Sequence, residues 1–450
     1  MTDPVIWWVR QDFRLRDNAA LTAAAAAGPV IPVYVLDDDT PGDWRIGGAQ
    51  RWWLHHALVA LEASLHEHGL RLILRSGRAA DVVAKLAEET SAQAVHATRQ
   101  YEPWWREADA ALGDTLTLHD GNHLVPVEDV TTGSGSQFRV YGAFWKALSA
   151  KLPPAEPLPR PDTLTAPKAW PKSDRLEDWG LLPKRAWAKG FEVWTPGETA
   201  GLQAIAAFAD VIEEYDTDRN LPSVAGTSRL SPHLHFGEVT PRQVLHALHG
   251  RGAGVETFRK EIAWRDFTDG LTLALPRYGD ENGRPAFDKL AWRDAPDDRK
   301  AWEQGRTGYP IVDAGMRQLW TVGWMHNRVR MITASFLTKH LLIDWRAGER
   351  WFWDCLVDAD YGNNSVNWQW VAGTGTDANM FGRIMAPLGQ SEKFDAGAYI
   401  REWVPELHDV PDEAIHDPDA AGCRPDAYPP KMIGHREGRE RALAAGRAAR

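Results

Sequence analysis

Val5-Ile-Trp-Trp-Val-Arg10 and Val30-Ile-Pro-Val-Tyr-Val-Leu36, with the alanine-rich stretch Asn18–Ala27 between them, set the pattern of the first 120 residues. Both flanking runs are short, apolar and rich in β-branched residues, which is strand composition. The alternation continues outward. Leu70–Arg75, Ala94–Thr98 and Thr115–Leu118 repeat the strand signature, and Ala49–His68, Ala79–Glu89 and Pro103–Leu112 the helical one. Strands alternating with helices predict a parallel sheet covered by helices on both faces, a Rossmann-like α/β domain over residues 1–130. No Gly-x-Gly-x-x-Gly follows the first strand, so this domain is not expected to hold a dinucleotide in the common Rossmann way.

Residues 131–200 read as a connector. Nine prolines fall within 151–200, including Pro153, Pro154, Pro157, Pro159 and Pro161, and such a segment forms neither a continuous helix nor a central strand. It is expected to lie over the surface. From about Gly201 strand signals nearly vanish. Ala204–Tyr215, Pro241–Leu248, Val255–Thr272, Asp313–Thr321, Asn327–His340 and Gly348–Asp358 look helical, so residues 201–450 are expected to form an all-α domain. Two domains suit a chain of 450 residues.

Composition narrows the function classes. The chain has no apolar run long enough for a membrane span and does not open with a signal-peptide pattern. Cys355 and Cys423 are its only cysteines, which excludes a disulfide framework and argues against a cysteine metal site. A cytoplasmic protein is the simple expectation. The net charge of −11 argues against coating nucleic acid by bulk attraction, although residues 301–350 carry seven Lys or Arg against four Asp or Glu. The 23 tryptophans are an excess over ordinary composition. So many indoles point to stacking surfaces or to electron transfer, since indole is among the easiest side chains to oxidise.

Two segments concentrate polar chemistry beside those indoles. Residues 324–331 read Trp-Met-His-Asn-Arg-Val-Arg-Met, and a helix would put Asn327, Arg330 and Met331 on one face with Arg328 beside them. Residues 358–370 read Asp-Ala-Asp-Tyr-Gly-Asn-Asn-Ser-Val-Asn-Trp-Gln-Trp. Two acids, several amides and two tryptophans so close together suit a heteroaromatic ring with many polar edges. Taken singly, Asp358 and Asp360 would equally suit a helix cap and a surface acid, and Trp368 and Trp370 core packing. His55-His56 and His233-x-His235 are not expected to bind metal, the latter because no carboxylate or cysteine partner is in view. Cys355 reads as core rather than nucleophile.

At these residues the chain resembles the DNA photolyase and cryptochrome family. The words that carry the resemblance are Thr-Gly-Tyr-Pro-Ile-Val-Asp-Ala-Gly-Met-Arg at 307–317, then 324–331, Asp344-Trp345-Arg346 and 358–370. Thr374-Gly-Thr-Asp377 and Glu392-Lys-Phe-Asp395 follow in family order. Upstream, Arg10-Gln-Asp-Phe-Arg-Leu-Arg-Asp17, Gly226-Thr-Ser-Arg-Leu-Ser231 and Trp264-Arg-Asp-Phe267 also match. The resemblance spans nearly the whole chain and is nearest to the class I photolyases of cyclobutane pyrimidine dimers. It implies that the helical domain binds FAD. Tyr215, Thr227, Ser228, Leu230, Ser231, Glu261, Arg265, Asn327, Arg330, Asp358, Asp360 and Asn364 stand at the family's FAD contacts, with Arg330 paired to Asp358. The small hydroxyls and backbone N–H groups of 227–231 suit pyrophosphate charge. Asn364 stands where the residue facing flavin N5 lies, and an amide there, where plant cryptochromes have an acid, favours repair over signalling. Trp368, Trp345 and Trp292 match the tryptophan relay that carries electrons between flavin and surface.

The resemblance also implies a lesion site. Trp264 and Trp370 match aromatic walls, Glu261, Asn327, Arg328 and Met331 match contacts to a flipped dimer, and Arg219 and Arg383 match phosphate-side contacts. Flipping the target base out of the duplex is the established mode of photolyases. The (6-4) photolyases carry histidines where this chain has Asn327 and Met331, so a cyclobutane dimer in ultraviolet-damaged DNA is the expected substrate. The implied reaction is light-driven electron transfer from reduced FAD, a carbon–carbon lyase step in which the relay tryptophans, Asn364 and Glu261 take part. A cryptochrome-like photoreceptor and a thermal flavin oxidoreductase are the alternatives. A second, antenna chromophore in the N-terminal domain is open in identity, with folate disfavoured: the family's folate residues are not matched around Tyr101-Glu-Pro-Trp-Trp105 or Leu275–Pro285. Ala386 replaces a family asparagine. No metal or membrane partner is expected, and a monomer is.

Overall fold

The computed structural model describes residues 3–248, 250, 252–378 and 384–449. Five parallel strands, β1 (Val5–Val9), β2 (Val30–Leu36), β3 (Ile73–Ser76), β4 (Val95–Thr98) and β5 (Leu116–His119), form a sheet in the order β3-β2-β1-β4-β5. Register pairs Val5 with Val30 and Ile6 with Val95. Side chains alternate across the sheet. Val5, Trp7 and Val9 therefore pack on α1 (Ala19–Ala27) and α2 (Gly48–His66). Ile6 and Trp8 pack on α3 (Ala79–Thr90) and α4 (Pro103–Leu112). Both faces are covered, and the Rossmann-like expectation is met.

Boundaries shift where tertiary contacts decide them. β3 begins at Ile73 rather than Leu70, since pairing with β2 starts at Val33 opposite Ile73, four residues beyond the positive-φ turn at Gly69. β5 starts one residue late, after a single turn of 3-10 helix over Gly113–Thr115.

The proline-rich segment is more deeply seated than a surface connector. Helix α5 (Tyr141–Ser149) precedes it, and its 3-10 turns include Ala186–Val193. Phe191 and Trp194 are buried in the same apolar cluster as Trp7 and α2. The segment is a wedge between sheet and helices.

The helical region runs through α6 (Glu198–Ala209), α7 (Tyr215–Asp218), α8 (Ser231–His235), α9 (Pro241–Ala247) and α10 (Ala253–Ala274). It continues through α11 (Pro296–Glu303), α12 (Pro310–Val322), α13 (Asn327–Ser335), α14 (Trp345–Cys355) and α15 (Tyr361–Ala372). Beyond these lie α16 (Pro387–Lys393), α17 (Gly397–Trp403) and α18 (His435–Ala448). The helix expected over 204–215 starts earlier, at Glu198, whose carboxylate accepts the backbone N–H groups of Leu15 and Arg16 at 3.0 and 2.9 Å. The helix expected over 348–358 is α14, started three residues earlier by Asp344, which accepts the N–H of Arg346 at 3.0 Å. The helix expected through His340 leaves α geometry at Ser335 and finishes as a π turn over Phe336–His340.

The word Arg10–Asp17 locks the two regions together. Asp12 accepts from Trp7 Nε1, Thr98 Oγ1 and Asn18 Nδ2 at 3.2, 2.8 and 3.1 Å. Arg14 donates to Gly237 O at 2.8 Å and Asn122 Oδ1 at 2.9 Å. Gly237 sits at φ +59°, and a Cβ there would stand 1.8 Å from Gln11 O. Only glycine allows this close approach of the two backbones.

Candidate active site

A cavity of about 490 Å³ opens among α7, α8, α10, α13 and α15, a size ordinary for a cofactor or ligand site. Helical periodicity decides which side chains reach it. α10 contributes Phe258, Glu261, Ile262 and Arg265 at three- and four-residue spacing, with Trp264 beside them. α13 contributes Asn327, Arg330, Met331 and Ala334, with Arg328 adjacent. α15 and its cap contribute Asp360, Asn363, Asn364, Asn367, Trp368, Trp370 and Val371. Tyr215, Arg219 and the segment Thr227–Ser231 close the opposite side. Gly348 of α14 makes room for a wall residue, since a Cβ there would lie 2.2 Å from Trp368 Cη2.

The charged groups are arranged in pairs. Arg330 Nη2 donates to Asp358 Oδ2 at 2.9 Å, the pair that the resemblance implies. Asp358 is therefore no helix cap. Asp360 is the cap, accepting Asn363 N–H at 2.8 Å. Burial pushes the Asp360 carboxyl up, but His235 and Arg265 outweigh it and hold the group well below the usual carboxylate range. Arg219 meets Glu261 at 2.6 Å. Arg328 Nε donates to Asn220 Oδ1 at 2.8 Å, which fixes the guanidinium at the cavity edge. His326 caps α13, its Nδ1 accepting Arg328 N–H at 3.3 Å. Burial first, then Arg328, Arg330, Arg219 and Arg229, push its imidazole down to about 4, so it is neutral.

The expectation that His233 and His235 lack carboxylate partners does not hold. His233 Nδ1 lies 2.5 Å from Glu238 Oε2, and His235 lies 3.7 Å from Asp360 and 3.2 Å from Gln50 Oε1. The contacts to Glu238 and Gln50 are buried hydrogen bonds, the one to Asp360 is too long for a hydrogen bond, and among the described residues no group of three or more His, Cys, Asp or Glu gathers as a metal site. Cys355 is buried, and burial pushes its thiol up, away from nucleophile chemistry.

Of the expected site residues, the cavity gathers the whole set of FAD contacts from Tyr215 to Asn364, together with Arg219, Trp264, Arg328, Met331, Trp368 and Trp370. Trp345 and Trp292 lie away from it. Trp345 is fully buried on α14, donating Nε1 to Asn282 Oδ1 at 3.0 Å, and Trp292 is half-buried at the edge of the same cluster. Arg383 lies outside the described residues. Sequence reasoning missed Asn363 and Asn367, which the spacing from Asp360 and Asn364 along one helix could have supplied. It also missed Asn220, for which no local signal exists, and Arg229, which stands inside the quoted word Gly226–Ser231.

The donor set fits a flavin dinucleotide. Asp358 Oδ1 and Arg265 Nε, on residues of the wall, are buried with no hydrogen-bond partner within the protein, so each is left with an unmet bond. Hydroxyls at Thr227, Ser228 and Ser231, an acid–guanidinium pair with a buried carboxylate and four asparagines match a ligand with phosphates, ribityl hydroxyls and a polar heterocycle.

A second cavity of about 530 Å³ shares Arg328 and Met331 with the first and extends past Asn220, Lys393 and Phe394. A third, with about 70 Å³ of room, lies at the ends of β1 and β2, walled by Arg10, Tyr34, Asp37, Trp44, Trp105 and Trp353. Among the described residues no helix is long and apolar enough to cross a membrane.

Comparison with known proteins agrees with this geometry. The family model for DNA photolyase matches residues 5–162, and that for the FAD binding domain of DNA photolyase matches residues 258–448. The deoxyribodipyrimidine photo-lyase of Agrobacterium fabrum is 48% identical over 470 aligned positions, covering 99% of this chain and 98% of the relative. A bacterial class III photolyase from Agrobacterium tumefaciens superposes with a TM-score of 0.94 at 47% identity, covering 100% of this chain and 98% of that one. An archaeal photolyase from Sulfolobus tokodaii, solved with two FAD molecules, superposes with a TM-score of 0.85 at 29% identity, covering 99% of each chain. With relatives this similar over nearly their full length, the chain belongs to the DNA photolyase family.

Proposed function

We propose that this protein is a deoxyribodipyrimidine photo-lyase that splits cyclobutane pyrimidine dimers in ultraviolet-damaged DNA, using light and reduced FAD. The observation that carries the reading is that the indoles of Trp264 and Trp370 wall the same cavity as the Arg330–Asp358 pair and Asn364. Groups suited to a flavin and groups suited to a flipped base thus share one space. When bound and reduced, FAD supplies the electron that light transfers to the dimer and that returns after the ring opens.

The chain's own residues bind, orient and exclude water. Tyr215, Thr227, Ser228, Leu230, Ser231, Glu261, Arg265, Asn327, Arg330, Asp358, Asp360 and Asn364 would hold the flavin. The Arg330 guanidinium lines the cavity and would offset the negative charge of a reduced flavin held there, in a site where an unpaired charge is costly. Asn364 donates Nδ2–H to Glu349 O at 3.1 Å, which leaves its carbonyl oxygen free to accept from the cavity. Burial pushes the carboxyl of Glu349, the residue behind Asn364, well above its ordinary range. Trp264 and Trp370 stack the dimer, a mode worth about 1–3 kcal/mol per base. Asn327, Arg328, Met331 and Glu261 contact it, and Arg219 and Arg383 take phosphate-side roles. Trp368, Trp345 and Trp292 run from cavity wall to buried core to half-exposed edge, the order a relay from flavin to surface requires.

Within the family, likeness to the Agrobacterium tumefaciens structure supports a class III placement rather than the class I affinity of the motifs. A monomer acting on DNA is the simplest assembly. An antenna in the N-terminal domain is a further part of the proposal, its identity open. The room of about 70 Å³ below Trp44 and Trp105 takes no three-ring chromophore unless those indoles move. Incubating the illuminated, reduced protein with oligonucleotides carrying either a cyclobutane dimer or a (6-4) product tests the substrate class. Repair of the first alone is expected, and repair of the second alone would overturn the reading.

A further inference from the structure

Tyr141 belongs to none of the motif words, yet it covers the back of Trp264. The two rings are parallel within 3° with centroids 3.8 Å apart, the closest ring pair among the described residues. The central cavity is lined by Trp264 and not by Tyr141, and the phenol covers one face of the indole. Tyr141 is itself tied down at both ends. Its hydroxyl donates to Lys260 O at 2.5 Å, one helical turn before Trp264 on α10, and its backbone N–H donates to Asp377 Oδ2 at 3.2 Å. Buried Phe267 meets both rings edge-on, Tyr141 at 5.6 Å and Trp264 at 5.5 Å.

A half-buried tryptophan has two soft torsions and can swing between rotamers. A wall for a flipped base works best if it already stands in its plane when the base arrives, since ordering it later subtracts from binding. We infer that Tyr141 is a positioning residue for lesion recognition, acting through Trp264 by clamping the indole from behind. This rests on the reading of Trp264 as a lesion wall. The plain alternative is that the pair only staples α5 to α10. The two differ in what they move: a staple changes stability and leaves the preference for damaged over undamaged DNA alone.

The test uses the full-length, FAD-loaded protein. Affinity is measured for one oligonucleotide with and without a single thymine dimer, for Tyr141→Ala, Tyr141→Leu, Tyr141→Phe and Trp264→Ala. Leucine keeps apolar volume without a flat ring and guards against a failure to fold. Both Tyr141→Ala and Tyr141→Leu are expected to lower the damaged-to-undamaged ratio about three- to tenfold, the range of an aromatic pair. The loss should appear in KM, with repair at saturating substrate unchanged. Tyr141→Phe keeps the stack and should restore the ratio. An unchanged ratio in Tyr141→Leu, while Trp264→Ala loses it, overturns the inference alone. An unchanged ratio in Trp264→Ala overturns the lesion-wall reading itself.

Discussion

Arg330 Nη2 stands 2.9 Å from Asp358 Oδ2, joining α13 to the segment that leads into α15. Arg330 is further held by its Nε, which donates to Met325 O at 2.7 Å. Removing the guanidinium leaves a buried carboxylate without its counter-charge, and breaking such a pair costs about 3–5 kcal/mol when both partners are buried. Arg330 is partly exposed, so Arg330→Met is expected to cost somewhat less, about 2 kcal/mol. Chemical denaturation of the single variants and of Arg330→Met/Asp358→Asn should show the double variant losing less than the sum of the two. FAD content should fall in Arg330→Met.

A pH dependence follows from Glu102, at the start of α4. Burial, with Asp269 and Asp360 nearby, pushes its carboxyl up to about 8 from an ordinary 4.5. Between those values the folded protein keeps a proton that the unfolded chain has lost. Stability therefore falls as pH rises from about 5 toward 8. Asp266, pushed up to about 7 by burial, adds to the same slope. Glu102→Gln is neutral throughout and should flatten the decline, by a few kcal/mol at the upper end. Urea unfolding at stepped pH measures it. Profiles of equal slope would show that Glu102 titrates normally.

The local code was legible where a segment carries its own signals. Pro103 opens α4 and Leu112 closes it as read, and Val30–Leu36 is β2 without change. Helix faces were legible too, which is why Asn327, Arg330 and Met331 reach one cavity. What failed was set by distant partners. Glu198 starts α6 because Leu15 and Arg16 lie against it, and Phe191 is buried because the sheet's helices receive it. Asp344 was a readable cap, since an Asp immediately before a helical run is an ordinary start signal. Glu238 lies five residues after His233, a spacing that no metal or cap template flags. Most of the site's residue roles came from family words rather than from spacing, and Tyr141 shows the limit of both.

Trp345→Phe tests the relay. A phenyl ring fills most of the indole's volume but is far harder to oxidise. Light-driven reduction of the oxidised flavin is expected to fall at least tenfold, read as absorbance change under blue light, while protein reduced chemically beforehand repairs dimers at the normal rate. Loss of both would mean that the substitution disturbed the cavity, not the relay. The hydrogen bond from Trp345 Nε1 to Asn282 is lost as well, so a modest drop in melting temperature accompanies it.

Trp264→Ala is expected to weaken binding to dimer-containing DNA about tenfold, in line with the stacking of one base on an aromatic ring. Trp264 reaches the cavity from α10 beside Glu261 and Arg265, so the flavin contacts stay in place and FAD content should be unchanged. Fluorescence anisotropy and the flavin spectrum together check this. Loss of FAD with unaltered affinity would reverse the assignment of the two ends of the cavity.

The purified protein is loaded with FAD, reduced without oxygen and mixed with an oligonucleotide holding a single thymine dimer. It is then illuminated with blue light while thymine absorbance is followed, with a dark sample alongside. Intact thymines are expected to be recovered in the light only, with the flavin still reduced at the end. Dimers left unrepaired in the light, with FAD bound and reduced, would contradict the proposed function.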